Sequence, residues 1–282
     1  PFPVTAQGLR VPAGTPVLVV SAIAGEAFGL AGAITGNPSD TAMVEGVARF
    51  IRDDLPRLEG DGEGYCFAYS TDDRRRVHNA NLLAVEHLAR ASCMTGDASY
   101  WTAPQPALSF SLARQRPDGA WPYGAWRQGE PFEAGLMALV DHHHTGFVLR
   151  SLHTLSALYP DAFSQKVLDQ GYRFYRDNLI TAEGMPRTEE AVYPVDIHAC
   201  AEAALCFSVM ADRYREAYDR AWTALRWAHW RLSDHQTHAP FYRKYRHFTT
   251  RITYPRWGVA WMYRALGEYI WQGSKRKHTP LS

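Results

Sequence analysis

Apolar residues recur along most of this chain at steps of three and four. Val44, Val47 and Ile51 follow that spacing, as do Leu82, Leu83, Val85 and Leu88, and then Val148, Leu149, Leu152, Leu155 and Tyr159. The period is that of a helix burying one stripe. It predicts helices over 16–34, 41–55, 78–92, 100–115, 141–159, 162–179, 196–210, 215–232 and 256–271. Thr15 and Pro16 read as N-cap and first helical residue of the first one. Short turns divide the helices in pairs, at Asn37-Pro38-Ser39-Asp40, Thr95-Gly96-Asp97 and Pro160-Asp161. Longer loops rich in glycine, proline and aromatic residues separate one pair from the next. One of them, 59–70, ending in Tyr65-Cys66-Phe67-Ala68-Tyr69, reads as a short strand or an ordered loop.

The first helix of each pair starts near Pro16, Val77, Asp141, Asp196 or Arg256, a repeat of about 60 residues. In an array of such hairpins every long loop falls at the end where the first helices begin. The first helices are rich in small residues, as in Ala199-Cys200-Ala201-Glu202-Ala203-Ala204, and the second ones carry more charge. This favours an all-α fold of inner and outer helices, an α/α toroid, over an open superhelix. Five inner helices are visible, so a six-hairpin ring would be complete only with another. The whole chain, 1–282, reads as one such domain behind an irregular lead-in over 1–14.

Composition narrows the function. Lys+Arg at 30 against Asp+Glu at 29 leaves no basic surplus of the kind nucleic acid selects, so no nucleic-acid partner is expected. Cys66, Cys93, Cys200 and Cys206 lack C-x-x-C spacing, which points to a reducing, cytoplasmic setting, although the chain begins at Pro1 and a removed leader would leave no trace. No membrane span is expected: the most apolar run, 16–30, contains Ser21, Glu26 and several glycines and fits a core helix. No cofactor is implied, nor any oligomeric state.

Chemistry-bearing residues gather at the predicted inner-helix starts. Asp141 and Asp196 stand at equivalent positions, where two carboxyl groups across a cleft could serve glycoside hydrolysis, or could simply cap their helices. His78, His144 and His198 form a second set, suited to proton transfer, to hydrogen bonding with a sugar, or to a core role. The metal reading is disfavoured because no helix carries two histidines one turn apart. His142 and His143 are weaker candidates, since successive helical residues point in different directions. A basic, aromatic set made of Tyr242, Arg243, Lys244, Tyr245, Arg246, Arg251, Arg256 and Trp257 suits an anionic substrate, or is a solvated loop. Within it Tyr242, Lys244, Arg256 and Trp257, with His78 and Asn81, are the expected substrate contacts. Gln115-Arg116-Pro117-Asp118-Gly119-Ala120-Trp121 fits a Q-x-x-x-G-x-W motif whose natural role is structural. Asp72-Asp73 lacks the preceding aspartate of a cyclase acid motif.

At 76–83, 115–124, His144-Thr145-Gly146-Phe147, Asp196-Ile197-His198 and Arg256-Trp257-Gly258 the chain resembles bacterial proteins associated with exopolysaccharide biosynthesis. The resemblance runs from about Val11 to Gln272 and implies the α/α toroid shared with terpenoid cyclases and six-hairpin glycosidases. It departs where an Asn and an aromatic residue are expected after Asp141 and His142 and His143 stand instead. Residues and resemblance together predict a carbohydrate-active enzyme for an acidic or polar glycan. Asp141, His144, Asp196 and His198 would carry hydrolysis, or elimination or epimerisation at a uronate. The alternatives are a noncatalytic glycan-binding or scaffold protein and, further off, a cyclase-like enzyme.

Overall fold

In the computed structural model, residues 4–6, 9–60, 62, 64–130 and 133–278 are described. The chain is 59% helical. After an antiparallel pair, β1 (Val4–Ala6) and β2 (Leu9–Val11), come α1 (Leu18–Thr35) and α2 (Pro38–Arg49), which continues into a π-helical turn, Phe50–Asp54. β3 (Arg57–Glu59) pairs with β4 (Tyr65–Phe67). Then follow β5 (Arg76–Val77), α3 (His78–Thr95), α4 (Ser99–Thr102), α5 (Gln105–Leu112), β6 (Gly124–Ala125) and α6 (Ala134–Ala138). The chain goes on through α7 (His142–Leu158), α8 (Gln165–Phe174) with a second π turn at Tyr175–Leu179, β7 (Val195–Asp196), α9 (Ile197–Met210) and α10 (Ala217–Leu232). It closes with β8 (Arg243–Lys244), β9 (Thr249–Thr250), a third π turn at Pro255–Val259, and α11 (Ala260–His278).

The helical pairs follow the predicted rhythm, with local differences. The helix expected over 100–115 is two, α4 and α5, because Pro104 and Pro106 interrupt the backbone hydrogen-bond ladder. The helices expected to reach Leu55 and Leu179 end in π turns. The first helix starts at Leu18, not Pro16, and no side chain caps it; Leu18 N–H donates instead to Tyr69 O. The same device recurs, for His78 N–H donates to Tyr123 O and Ile197 N–H to Tyr242 O. Each of these inner helices therefore begins where the loop after its own hairpin returns to pair with it.

The residues group into two compact units. One comprises Pro1–Pro117, Trp121–Leu139 and Ser151–Leu168; the other comprises Asp118–Ala120, Val140–Arg150 and Asp169–Ser282. In the first, α3 is the core helix, buried except at Arg90, Cys93, Met94 and Thr95. Against expectation α1 is not a core helix. Only Leu18, Ala22 and Gly25 are buried, and Ile34 is 86% exposed. By length and composition α1 is long and apolar enough to cross a membrane. In the second unit α9 is the core helix, buried except at His198 and Val209.

Gly64, Gly119 and Gly184, each in a loop and at a φ near +90°, lie against outer helices. A Cβ would collide with the carbonyl of Pro106, Gln170 or Thr223 respectively. The loop after α10 instead has His238 in the left-handed region, at φ 60°. The Q-x-x-x-G-x-W motif is structural, as predicted: Gln115 Nε2 donates to Val167 O at 3.0 Å and buried Trp121 donates to Ser111 O at 2.9 Å.

Candidate functional site

In the second unit, the starts of α7 and α9 bring a carboxylate and three imidazoles into series. Asp141 precedes α7, and its Oδ1 accepts the His144 backbone N–H at 2.8 Å, so it caps the helix. Its Oδ2 accepts from His144 Nδ1 at 2.6 Å. Burial alone would push this carboxyl up; the adjacent His144 imidazole outweighs it and holds Asp141 well below the usual carboxylate range. Pinning His144 through Nδ1 makes Nε2 its basic nitrogen.

His143 continues the series. Its ring centroid lies 5.2 Å from that of His144 and 4.6 Å from that of His198, both edge to face. The sequence ranked it below His144, but α7 is turned so that His143 meets α9. His142 points elsewhere and donates from Nδ1 to Arg187 O at 2.9 Å. Burial, then the charges of His198 and His144, keep His143 well below the ordinary imidazole value. Burial likewise pushes His198 down to about 4, against the opposing pull of Asp196. His198 Nε2 is buried without a hydrogen-bond partner.

Aromatic rings wall the cluster. Trp261 lies 4.6 Å from His198 and 5.8 Å from Phe147, and Trp257 lies 5.7 Å from His198. Trp257 comes from the third π turn, whose Gly258 lets the backbone approach Ile197. Arg256 is exposed and stacks over Trp257 at 5.3 Å.

Asp196 caps α9. Its Oδ1 accepts Ala199 N–H at 2.8 Å, and Arg243 donates to Oδ2 at 3.3 Å. Tyr242 supplies the carbonyl that receives Ile197 N–H, and its ring meets Tyr254 edge-on at 5.0 Å. Lys244 is half-buried in β8, opposite Val195.

His78 and Asn81 belong to the first unit. Asn81 is wholly buried and joins β4 to α5. It accepts Phe67 N–H at 2.9 Å, and it donates to Ala107 O at 2.7 Å and Ser111 Oγ at 2.9 Å. These bonds occupy its amide, and the substrate-binding assignment gives way to a bracing one. His78 is buried beside Ser111, with Nδ1 3.1 Å from Oγ, and burial, then Arg114, push it down to about 3.

Trp261, beside His198, and the buried pair Arg150 and Glu202 are not among the residues expected from the sequence. Trp261 carried a signal, since it stands one helical turn after Trp257 and so on the same face. Among the described residues no group of His, Cys, Asp and Glu has the geometry to hold a metal ion.

No protein-family model and no curated protein matches the sequence. Solved structures do match. The cellobiose 2-epimerase of Bacillus thermoamylovorans superposes with a TM-score of 0.70 at 9% identity, over 92% of this chain and 74% of that one. A sugar epimerase from a ruminal bacterium gives 0.69 at 9% identity, over 95% and 76%. A possible member of the GH105 family from Klebsiella pneumoniae gives 0.68 at 14% identity, over 93% and 73%. This chain shares their fold, an α/α toroid.

Proposed function

We propose that this protein is a carbohydrate-active enzyme that moves a proton at a sugar ring carbon, by epimerisation, or by elimination at a uronate. The observation that carries the reading is the Asp141–His144 pair standing in series with His143 and His198. Asp141 orients His144 and stabilises the imidazolium that forms when His144 removes a proton from the carbon beside a carbonyl. A proton from solvent water, delivered to the opposite face, inverts that carbon, and the His144 imidazolium returns its own proton to solvent. His198, held neutral at the N-terminus of α9, polarises the sugar oxygen where charge develops. Trp257 and Trp261 offer flat faces to the apolar side of a sugar, and Arg243 and Arg256 suit an anionic group.

Hydrolysis by the two aspartates is less well supported, because each carboxylate already caps a helix and accepts a hydrogen bond from a second side chain, His144 for Asp141 and Arg243 for Asp196. The epimerase and isomerase activities of structural neighbours also support proton transfer. The test is incubation in deuterated water with cellobiose, mannose and uronate-terminated oligosaccharides, followed by proton NMR. Deuterium should enter at the reacting carbon, and His144→Asn should lower the rate about a hundredfold or more with the melting temperature little changed. Binding without exchange or new product would favour the noncatalytic glycan-binding reading. Linkage cleavage that survives His144→Asn would return the chemistry to the aspartates.

A further inference from the structure

The His143–His198 contact joins α7 to α9, and deeper along the same two helices a buried ion pair joins them again. Arg150 donates from Nε to Glu202 Oε1 at 2.8 Å and from Nη2 to Oε2 at 3.1 Å, a two-pronged pairing. Glu202 is inaccessible and Arg150 is 8% exposed. Glu202 stands one turn on from His198 along α9, and Arg150 two turns on from His143 along α7, so pair and rings share the facing sides of the helices. Gly146 lies between them on α7. A Cβ there would sit 2.8 Å from Glu202 Oε1 and 3.0 Å from its Cγ, so the missing side chain is what admits the carboxylate.

The pair also reaches the histidines through an aromatic ring. The Arg150 guanidinium lies 4.6 Å above the centroid of Phe147, and Phe147 meets His143 edge-on at 5.2 Å. Building on the proton-transfer reading, we propose that Arg150, Glu202 and Gly146 are positioning residues: their ion pair fixes the register of α7 against α9 and, through Phe147, holds His143 against His198. A two-pronged pairing has one geometry, whereas apolar side chains of similar volume pack in several registers. Replacing a buried pair by apolar residues commonly preserves stability while removing that direction.

The contact itself is the readout, so catalysis need not be measured. With histidine labelled at Cε1, NMR of the unaltered protein should show a nuclear Overhauser effect between the His143 and His198 rings. Gly146→Ala displaces the carboxylate without changing any charge and should reduce that effect more than twofold. The double variant Arg150→Met with Glu202→Leu should melt near the parent temperature and lose the effect as well, which keeps the test open if either single charge removal fails to fold. Persistence of the cross-ring effect in either folded variant would overturn the proposal. If the effect is lost and no sugar is ever turned over, the positioning role stands and the proton-transfer reading falls. Turnover with an undisturbed effect would have the opposite meaning.

Discussion

α9 and α11 pack against each other, yet they are built on opposite plans. α9 is a run of alanine, cysteine and a few larger side chains, and small residues let neighbouring helices come close on every side. α11 is aromatic. Among its described side chains only Ala265 and Gln272 are buried, while Tyr263 is 80% and Ile270 67% exposed. One face of α11 presents Trp261 to His198, and Leu266 and Ile270 lie bare on another. The difference separates two jobs. α9 is a frame that leaves His198 nowhere to drift, whereas α11 is a wall supported from one side that supplies ring surface.

The largest break of this comparison is in the frame. Phe207 is fully buried against Tyr172 and Tyr175, and Phe207→Ala should cost about 3–5 kcal/mol in urea unfolding. An equal cost for Tyr263→Ala would erase the distinction. Next comes the pH response of the frame's own histidine. His198 titrates near 4 when folded and at about 6.5 when unfolded. As pH falls the unfolded chain takes up the proton first, so this contribution to stability is complete above about 6.5 and declines toward 4. His198→Asn should flatten that part of a stability–pH curve; an unchanged slope would mean that the imidazole is not held neutral.

A smaller effect concerns the cap of α9. Asp196→Ala should cost about 0.5–2 kcal/mol, while Asp196→Asn keeps the acceptor for Ala199 N–H and should lose much less in thermal melts. Similar losses in both would show that the Arg243 pairing, not the cap, holds that end. Smallest of all, Ile270→Ala on the bare face should change stability by no more than about 0.5 kcal/mol. A loss of several times that size would mean that something covers this face in solution.

Local rules were readable from the chain where they are local. Helical period exposed the pairs, and aspartate at a helix start is a cap wherever it occurs, so Asp141 and Asp196 were found with both of their readings. Pro104 and Pro106 were equally local and marked the break between α4 and α5, which the longer apolar period concealed. What depends on a neighbour was not readable. α1 is apolar enough for a core, and its exposure follows from what surrounds it. His143 outranks its expectation because the rotation of α7 is set by α9, and nothing in the triplet His142-His143-His144 encodes that rotation. Asn81 is polar at a helix start, as a substrate contact would be, and only its partners in β4 and α5 reveal a brace. The two-residue strands are too short to have a period at all.

The glycines at Gly64, Gly119 and Gly184 bear on the order in which the chain can assemble. Each sits in the loop after one hairpin and is fitted to the outer helix of the next: α5, α8 and α10 respectively. During synthesis the loop leaves the ribosome before the helix it receives, so each completed hairpin offers a finished seat to its successor. These seats favour assembly in chain order, each hairpin docking on the one before. The loop after α10 has no such glycine among its described residues; its left-handed residue is His238, at φ 60°.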